Sequence, residues 1–127
     1  MILDSNFKKK FGDNFIKSVK LSNYSWFNLG GNADYFYKAN DKSQLIEFLR
    51  ESKKRNLKIT IIGAGSNTLF RDNGVRGVVI KLGNNFSYTN IENKNILSVG
   101  AAALDRKVAN FAKDNNLGNF EFLSCIP

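Results

Sequence analysis

Residues 63–67, with the sequence Gly-Ala-Gly-Ser-Asn, form the segment best suited to binding a charged ligand. They directly follow a β-branched run at 58–62, which predicts a loop at the end of a buried strand. Two glycines allow unusual dihedral angles and close approach of the main chain to a ligand. Successive peptide N–H groups in such a turn can form an anion site, to which Ser66 and Asn67 add hydrogen bonds. The loop is therefore competent to hold a diphosphate, although a plain β-turn explains the same residues equally well.

Two better-known phosphate-binding loops do not fit residues 63–67. A P-loop places Lys and then Ser or Thr after its last glycine, and neither follows here. A dinucleotide fingerprint needs a third glycine at position 68 and then a helix. Position 68 is Thr68, and the following residues 69–74 (LFRDNG) have a turn-like composition. The loop thus belongs to neither class.

The sequence contains no histidine and a single cysteine, Cys125. This composition excludes His-dependent catalytic triads and leaves no ligand set for a zinc or iron–sulfur site, so no metal is predicted. Any redox chemistry must therefore come from an organic cofactor. We predict that Cys125 is a small, semi-buried apolar residue rather than a reactive thiol. A single cysteine that cannot form an internal disulfide indicates a reducing cytoplasm.

The net charge is +8, from 19 basic and 11 acidic side chains. Excess positive charge favours an anionic partner, either nucleotide phosphates or nucleic acid. The basic residues form no dominant tract, and those at 53–55 fit the last turn of a predicted helix, where cations oppose the negative end of the helix dipole. A solvated Lys-rich surface is therefore preferred, and a basic nucleic-acid-binding module stays an alternative. The apolar runs are too short to span a membrane.

The surrounding patterns predict the elements that must position the 63–67 loop. An aromatic-rich strand covers residues 33–39. A helix follows, with Asp41 as its N-cap and an i,i+4 pair between Glu51 and Arg55. Its apolar stripe consists of Leu45, Ile46, Phe48 and Leu49. Together with the strand at 58–62, these elements form a βαβ unit, which predicts a parallel pair of strands.

Further elements flank this unit on both sides. Residues 1–20 are predicted to be a helical or irregular lead-in, and residues 77–80 a further strand. Shorter strands are predicted at 86–89 and 96–99, before a helix closed by Gly118. The apolar positions of that helix are Leu104, Val108, Phe111 and Ala112. The predicted fold class is therefore α+β, with a small mixed sheet.

Two further segments of small residues are candidates for contact with a ligand. Gly30 and Gly31 precede the first strand of the βαβ unit, and residues 98–103 (SVGAAA) join a strand to a helix. Small side chains let a flat ligand or a second backbone approach closely. A tight turn is the preferred explanation for the glycine pair, and close helix–sheet packing explains the second segment equally well.

Four blocks of the sequence resemble, in the same order, those of the UDP-N-acetylenolpyruvoylglucosamine reductase family. They are YSWFNLGGNAD at 24–34, GAGSNTL at 63–69 with GVVI at 77–80, VGAAAL at 99–104, and GNFEFLSCIP at 118–127. Four ordered blocks are far more specific than any one of them. The resemblance extends from about residue 21 to Pro127.

The resemblance implies an α+β FAD-binding fold of the vanillyl-alcohol-oxidase / p-cresol methylhydroxylase type. It implies FAD as cofactor and NADPH as co-substrate in the reduction of UDP-N-acetylglucosamine enolpyruvate to UDP-N-acetylmuramate, a cytoplasmic step of peptidoglycan precursor synthesis. No nucleic-acid or membrane partner is expected, and the oligomeric state stays open, with a monomer favoured. The cofactor-binding residues that it implies are Gly63, Ala64, Gly65, Ser66, Asn67, Leu69, Ala101, Ala102, Ile126 and Pro127.

The family's catalytic residues follow an Ile-Pro-Gly segment whose first two residues match Ile126 and Pro127. The resemblance therefore implies no catalytic residue in this chain and a truncated fold that is inactive alone. Residues 1–20 are assigned as lead-in and 21–127 as the N-terminal part of the FAD-binding domain, with the rest of that domain and the substrate domain absent. The FAD domain of another oxidoreductase of the superfamily is the alternative, although many of those attach FAD through His.

Overall fold

The computed structural model describes residues 5–126. It divides into two compact units, the first ending at Leu82 and the second beginning at Gly83. The first unit contains α1 (Ser5–Phe11), β1 (Phe15–Lys20), β2 (Asn32–Ala39), α2 (Lys42–Lys54), β3 (Ile59–Ile62) and β4 (Val75–Leu82). The second unit contains β5 (Thr89–Asn93), β6 (Ile96–Val99) and α3 (Asp105–Asp114).

The first unit is built on a four-stranded mixed sheet with the strand order β1-β2-β4-β3. β1 runs antiparallel to β2, whereas β2 and β3 both run parallel to β4. The strands of the predicted βαβ unit are therefore parallel, but they are not direct neighbours because β4 is inserted between them. Val78, Val79 and Ile80 of β4 are buried in succession, so both faces of this strand are covered, which suits a central position.

The strand β3 lies at the edge of the sheet, so the prediction of a buried strand at 58–62 is wrong. Ile62 is buried, but Ile61 is 69% exposed. The β-branched run has the composition of a central parallel strand, yet only one side of β3 is hydrogen-bonded, to β4. Composition reports the preference for extended backbone and not the position of a strand within the sheet.

The predicted helical or irregular lead-in over residues 1–20 is only partly correct. Among the described residues, α1 is helical, but β1 is an edge strand of the sheet. Phe7, Phe11 and Phe15 are buried against one another at four-residue intervals. Their burial anchors the segment to the first unit, because removing three aromatic rings from water contributes several kcal/mol, about 1.5–3 for each.

Aromatic side chains form much of the core between the sheet and the first two helices. Phe48 of α2 is fully buried and stacks on Tyr37 of β2, with 4.0 Å between ring centroids. Its ring also contacts the rings of Phe7, Phe11 and Phe15. The buried apolar stripe of α2 is narrower than predicted, because Ile46 and Leu49 are exposed. Phe48 is therefore the one apolar side chain of this helix that is fully buried.

The ends of the helices follow local capping rules. Asp41 caps α2 as predicted, and its Oδ1 accepts a 2.8 Å hydrogen bond from the Gln44 N–H. Both α2 and α3 end with an asparagine in the left-handed region, Asn56 at φ 52° and Asn116 at φ 57°. The predicted closure of α3 by Gly118 is therefore wrong. Asparagine tolerates this conformation and ends the helix two residues earlier.

The second unit combines a two-stranded antiparallel sheet with α3. β6 has the predicted bounds, whereas the strand predicted at 86–89 begins only at Thr89 because residues Asn84–Phe86 form a 3₁₀ turn. Val108 and Ala112 of α3 are buried as the helical spacing predicts. A 2.9 Å hydrogen bond from the Ala102 N–H to the Phe86 carbonyl holds the residues that follow β6 close to the 3₁₀ turn.

Candidate functional site

The 63–67 loop lies at the carboxyl ends of the parallel strands of the first unit. It directly follows Ile62, whose backbone is paired with Lys81 near the end of β4. Lys81 is paired in turn with Lys38 near the end of β2. Ligands of open parallel sheets bind beyond the carboxyl ends of the strands. The loop therefore has the location that a ligand-binding loop requires.

The main chain of the loop offers unused hydrogen-bond donors. Within the described part of the chain, the peptide N–H groups of residues 64–67 donate to no acceptor. The peptide N–H groups of residues 68–73 also donate to no acceptor among the described residues, so the loop begins a longer stretch of free donors. Ala64 and Asn67 are exposed, and Ser66 is half-buried. The arrangement has the donors that an anion site needs.

The two glycines of the loop have different structural roles. Gly65 has φ 80°, and a Cβ built on it would lie 1.9 Å from the Tyr24 carbonyl oxygen, so only glycine fits there. Gly63 has no such restriction, and a Cβ on it would meet nothing within 4 Å. Gly65 thus permits close packing inside the protein, whereas Gly63 faces open space that a ligand can occupy.

The segment before β2 holds the loop in place. The Trp26 N–H donates to the Gly65 carbonyl at 3.1 Å. The Ser25 hydroxyl is buried, donates to the Thr68 carbonyl at 2.6 Å, and accepts from the Phe27 N–H at 3.2 Å. Sequence reasoning missed Ser25, because its role depends on a contact with residues far along the chain.

A small apolar cluster lies beneath the loop. Ile62 directly precedes the loop and Phe70 follows it closely, and both are buried. The cluster as a whole consists of Leu21, Ala33, Phe36, Ile62, Phe70 and Val79. Because both ends of the loop are attached to this cluster, the loop has a fixed base while its outer surface is open.

The glycine pair before β2 is used for close packing of two backbones. A Cβ built on Gly31 would lie 1.9 Å from the Asp72 carbonyl oxygen, and one on Gly30 would lie 2.4 Å from the Phe70 Cβ. The Gly31 N–H donates to the Arg71 carbonyl at 3.0 Å. The contacts therefore show close packing of two backbones at this pair, rather than the tight turn that the sequence favoured. The pair joins the segment before β2 to the segment after the loop.

Leu69 lies on the surface beside a shallow cavity, as a residue that packs against a ligand would. It is 65% exposed. The cavity measures about 490 Å³ and is lined by Leu29, Leu69, Phe70, Arg71, Asp72 and Asn73. Trp26 and Phe27 are also exposed, the indole by 73%. This part of the first unit therefore combines unpaired peptide donors with exposed apolar surface, which suits a ligand that has an anionic and a flat part.

A lysine that the sequence analysis did not single out contacts the loop. Lys81 Nζ donates to the Gly63 carbonyl oxygen. Burial, and secondarily the neighbouring charge of Lys38, lowers the pKa of the Lys81 ammonium group. Within the described residues, neither lysine is paired with a carboxylate. The start of the loop therefore lies beside a positive charge with no negative counterpart.

The remaining candidate residues belong to the second unit. Ala101 is exposed and Ala102 is half-buried, and the Gly100 N–H before them donates to the Tyr88 carbonyl at 2.9 Å. A Cβ on Gly100 would lie 2.1 Å from the Phe86 carbonyl oxygen, so this segment needs glycine for close backbone packing. Ile126 is exposed, and Pro127 lies outside the described residues.

Cys125 is exposed rather than semi-buried, so that prediction is wrong. It lies at the end of the 3₁₀ turn Glu121–Cys125, which leaves its side chain on the surface. The described residues contain no cluster of three His, Cys, Asp or Glu side chains able to hold a metal. None of the described helices is long and apolar enough to cross a membrane.

Comparison with known proteins gives consistent similarities. The FAD binding domain family matches residues 33–127. A UDP-N-acetylenolpyruvoylglucosamine reductase from Orientia tsutsugamushi (strain Ikeda) is 47% identical over 121 residues, which cover 93% of this chain and 40% of the relative. The reductase from Pelagibacter ubique (strain HTCC1062) is 46% identical over 114 residues, which cover 90% of this chain and 37% of the relative.

A solved structure shares the architecture. The crystal structure of UDP-N-acetylenolpyruvylglucosamine reductase from Thermus caldophilus aligns with a TM-score of 0.69 at 26% sequence identity, covering 87% of this chain and 38% of that one. The chain thus spans 37–40% of the length of these relatives.

Proposed function

The chain belongs to the FAD binding domain family, its homologues are UDP-N-acetylenolpyruvoylglucosamine reductases, and we propose that its 63–67 loop holds the diphosphate of FAD. The predicted α+β FAD-binding fold and the predicted family are confirmed by these similarities.

The observation that carries this proposal is the row of peptide N–H groups at 64–67, which have no acceptor within the described residues. A diphosphate presents several oxygen acceptors, and hydrogen bonds from peptide N–H groups to an anion are stronger than those between neutral groups. The open space in front of Gly63 gives such an anion room to approach the main chain. The residues present therefore fit a diphosphate.

The other candidate residues are proposed to contact the rest of the cofactor. Exposed Leu69 would pack against a flat ring, and the small side chains of Ala101 and Ala102 would allow the flavin to approach their backbone. Ile126 and Pro127 are proposed to close the site. When bound, FAD supplies the hydride-transfer chemistry that no side chain of this chain can supply.

We propose further that the protein takes part in the reduction of UDP-N-acetylglucosamine enolpyruvate to UDP-N-acetylmuramate with NADPH, in the cytoplasm and as a monomer. The names of the homologues support this substrate. The chain spans 37–40% of their length, and we propose that residues 1–127 alone reduce no substrate and bind FAD weakly at most. The contribution of this chain is to bind and orient the cofactor.

The test is the visible absorption of the purified protein, in the form that its gene encodes, after incubation with FAD and removal of free cofactor. We expect a flavin band that comigrates with the protein, and oxidation of NADPH only when the enolpyruvyl substrate is added. Riboflavin, which lacks both the diphosphate and the adenosine, is the control and should bind much more weakly. A folded protein that stays colourless would contradict the proposal.

A further inference from the structure

Lys81 occupies a position from which it can control the first peptide bond of the 63–67 loop. It is the penultimate residue of the central strand β4, and its backbone is paired with Ile62. Its side chain is half-buried, and Nζ donates to the Gly63 carbonyl oxygen. A central strand is the most constrained element of the sheet, so the ammonium group is presented from a rigid base.

The planarity of the peptide bond connects this contact to the free donors of the loop. The Gly63 carbonyl and the Ala64 N–H belong to one trans peptide group and point in opposite directions. A hydrogen bond that fixes the carbonyl toward Lys81 therefore fixes the Ala64 N–H on the other side of the peptide plane. A charged donor on the carbonyl also polarises the peptide group, which strengthens its N–H as a donor.

The placement of Lys81 is otherwise unfavourable to the fold. Its partner in register on β2 is Lys38, and like charges on adjacent strands are destabilising. No carboxylate among the described residues pairs with either lysine. Burial is the largest influence that lowers the Lys81 pKa, with the charge of Lys38 second. Lys81 is therefore a partly buried cation with no neutralising carboxylate among the described residues, and its ammonium group donates to the Gly63 carbonyl oxygen.

We propose that Lys81 is a positioning residue of the diphosphate site, which orients and polarises the Gly63–Ala64 peptide so that the Ala64 N–H is held ready for an anion. This inference rests on the proposed function of the loop. Lys81 acts through the peptide group and needs no contact with the cofactor. Lys38 carries the same charge on the neighbouring strand, but it makes no hydrogen bond to the loop, and it is therefore the matched control.

The experiment measures the affinity of the protein, in the form that its gene encodes, for FAD and for riboflavin by quenching of flavin fluorescence. We expect Lys81→Met to weaken FAD binding by about tenfold, because the Ala64 N–H is then neither held in place nor polarised by the ammonium group. Riboflavin affinity should stay within about twofold, because riboflavin has no phosphate to hold. Lys38→Met should leave both affinities within about twofold, and Lys81→Arg, which keeps a charged donor, should restore most of the loss.

Each other outcome overturns the inference in a recognisable way. If Lys81→Met and Lys38→Met weaken FAD binding equally, the loss of affinity comes from the overall positive charge. If Lys81→Met weakens the binding of FAD and of riboflavin equally, the loss of affinity comes from a folding defect. Unchanged FAD binding in Lys81→Met would remove the role of the residue while the proposed function stands. If the wild-type protein binds no FAD, both proposals fail. Should Lys81→Met not fold, Lys81→Gln, which is too short to replace the ammonium group at Gly63, must show the same selective loss.

Discussion

Ser25 Oγ donates a 2.6 Å hydrogen bond to the carbonyl oxygen of Thr68, across 43 residues of sequence. The same hydroxyl accepts from the Phe27 N–H, so one buried side chain satisfies two backbone groups in two segments. The adjacent bond from the Trp26 N–H to the Gly65 carbonyl strengthens this connection. The shape of the 63–67 loop is therefore determined partly by a segment that is distant in the sequence.

Replacement of Ser25 tests this connection. Ser25→Ala would leave the Thr68 carbonyl and the Phe27 N–H without their partner, and we expect the free energy of unfolding to fall by about 1–3 kcal/mol. Ser22 is a matched control, because it is equally buried but forms no side-chain hydrogen bond within the described residues. Ser22→Ala should change stability by about 0.5 kcal/mol or less in the same urea titration. Equal effects of the two substitutions would contradict the role of Ser25.

The two glycines of the loop should respond differently to alanine. Gly65→Ala places a Cβ against the Tyr24 carbonyl at φ 80°, so we expect a loss of at least about 1–3 kcal/mol in stability. Gly63→Ala should leave stability within about 0.5 kcal/mol of the wild type, because its Cβ would meet nothing in the protein. The same Cβ would fill the space proposed for the diphosphate, and FAD affinity should fall by about tenfold. Unaltered FAD affinity in folded Gly63→Ala would place the cofactor elsewhere.

Removal of the central ring of the aromatic cluster should be the most destabilising change in the first unit. Phe48→Ala removes a fully buried ring that stacks on Tyr37, and we expect it to cost about 3–5 kcal/mol. The neighbouring Leu49 is exposed, and Leu49→Ala should cost about 1 kcal/mol or less. Urea unfolding followed by far-ultraviolet circular dichroism compares the two variants. A small effect of Phe48→Ala would show that the cluster is not the core of this unit.

Acid should weaken the end of α2 through Glu51. Hydrogen bonds from Lys54 first and Arg55 second lower the pKa of its carboxyl from 4.5 to about 2. A lowered pKa means that the charged form is favoured in the folded state, so the contribution to stability is complete above pH 4.5 and disappears as the pH falls to about 2. Glu51→Gln should therefore be less stable than the wild type at neutral pH and equally stable at the acid limit. A difference that does not depend on pH would contradict this assignment.

Local signals in the sequence were sufficient to predict several elements. β2 and β4 have runs of aromatic or β-branched residues, and α2 has an N-cap at Asp41 and the predicted ion pair between Glu51 and Arg55. These features depend on residues within a few positions of one another. The 63–67 loop was identified in the same way, because glycine and small polar residues after a strand indicate a tight turn whatever surrounds it.

The arrangement of these elements depended on contacts between distant residues. The insertion of β4 between β2 and β3, and the edge positions of β3 and β1, are set by which strands pair with one another across the sheet. The positions of Ser25 and Lys81 beside the loop have the same origin. No periodicity near either residue could indicate its partner, because the partners Thr68 and Gly63 are 43 and 18 residues away.

The sequence by itself determined the conformation of β2, α2 and β6, and which segment has the composition of an anion-binding loop. Only the tertiary structure decided which groups hold that loop and which of its donors stay free. The physical reason is that dihedral preferences are properties of single residues and their neighbours, whereas the pairing of a hydrogen-bond donor or the burial of a side chain depends on what the folded chain brings next to it.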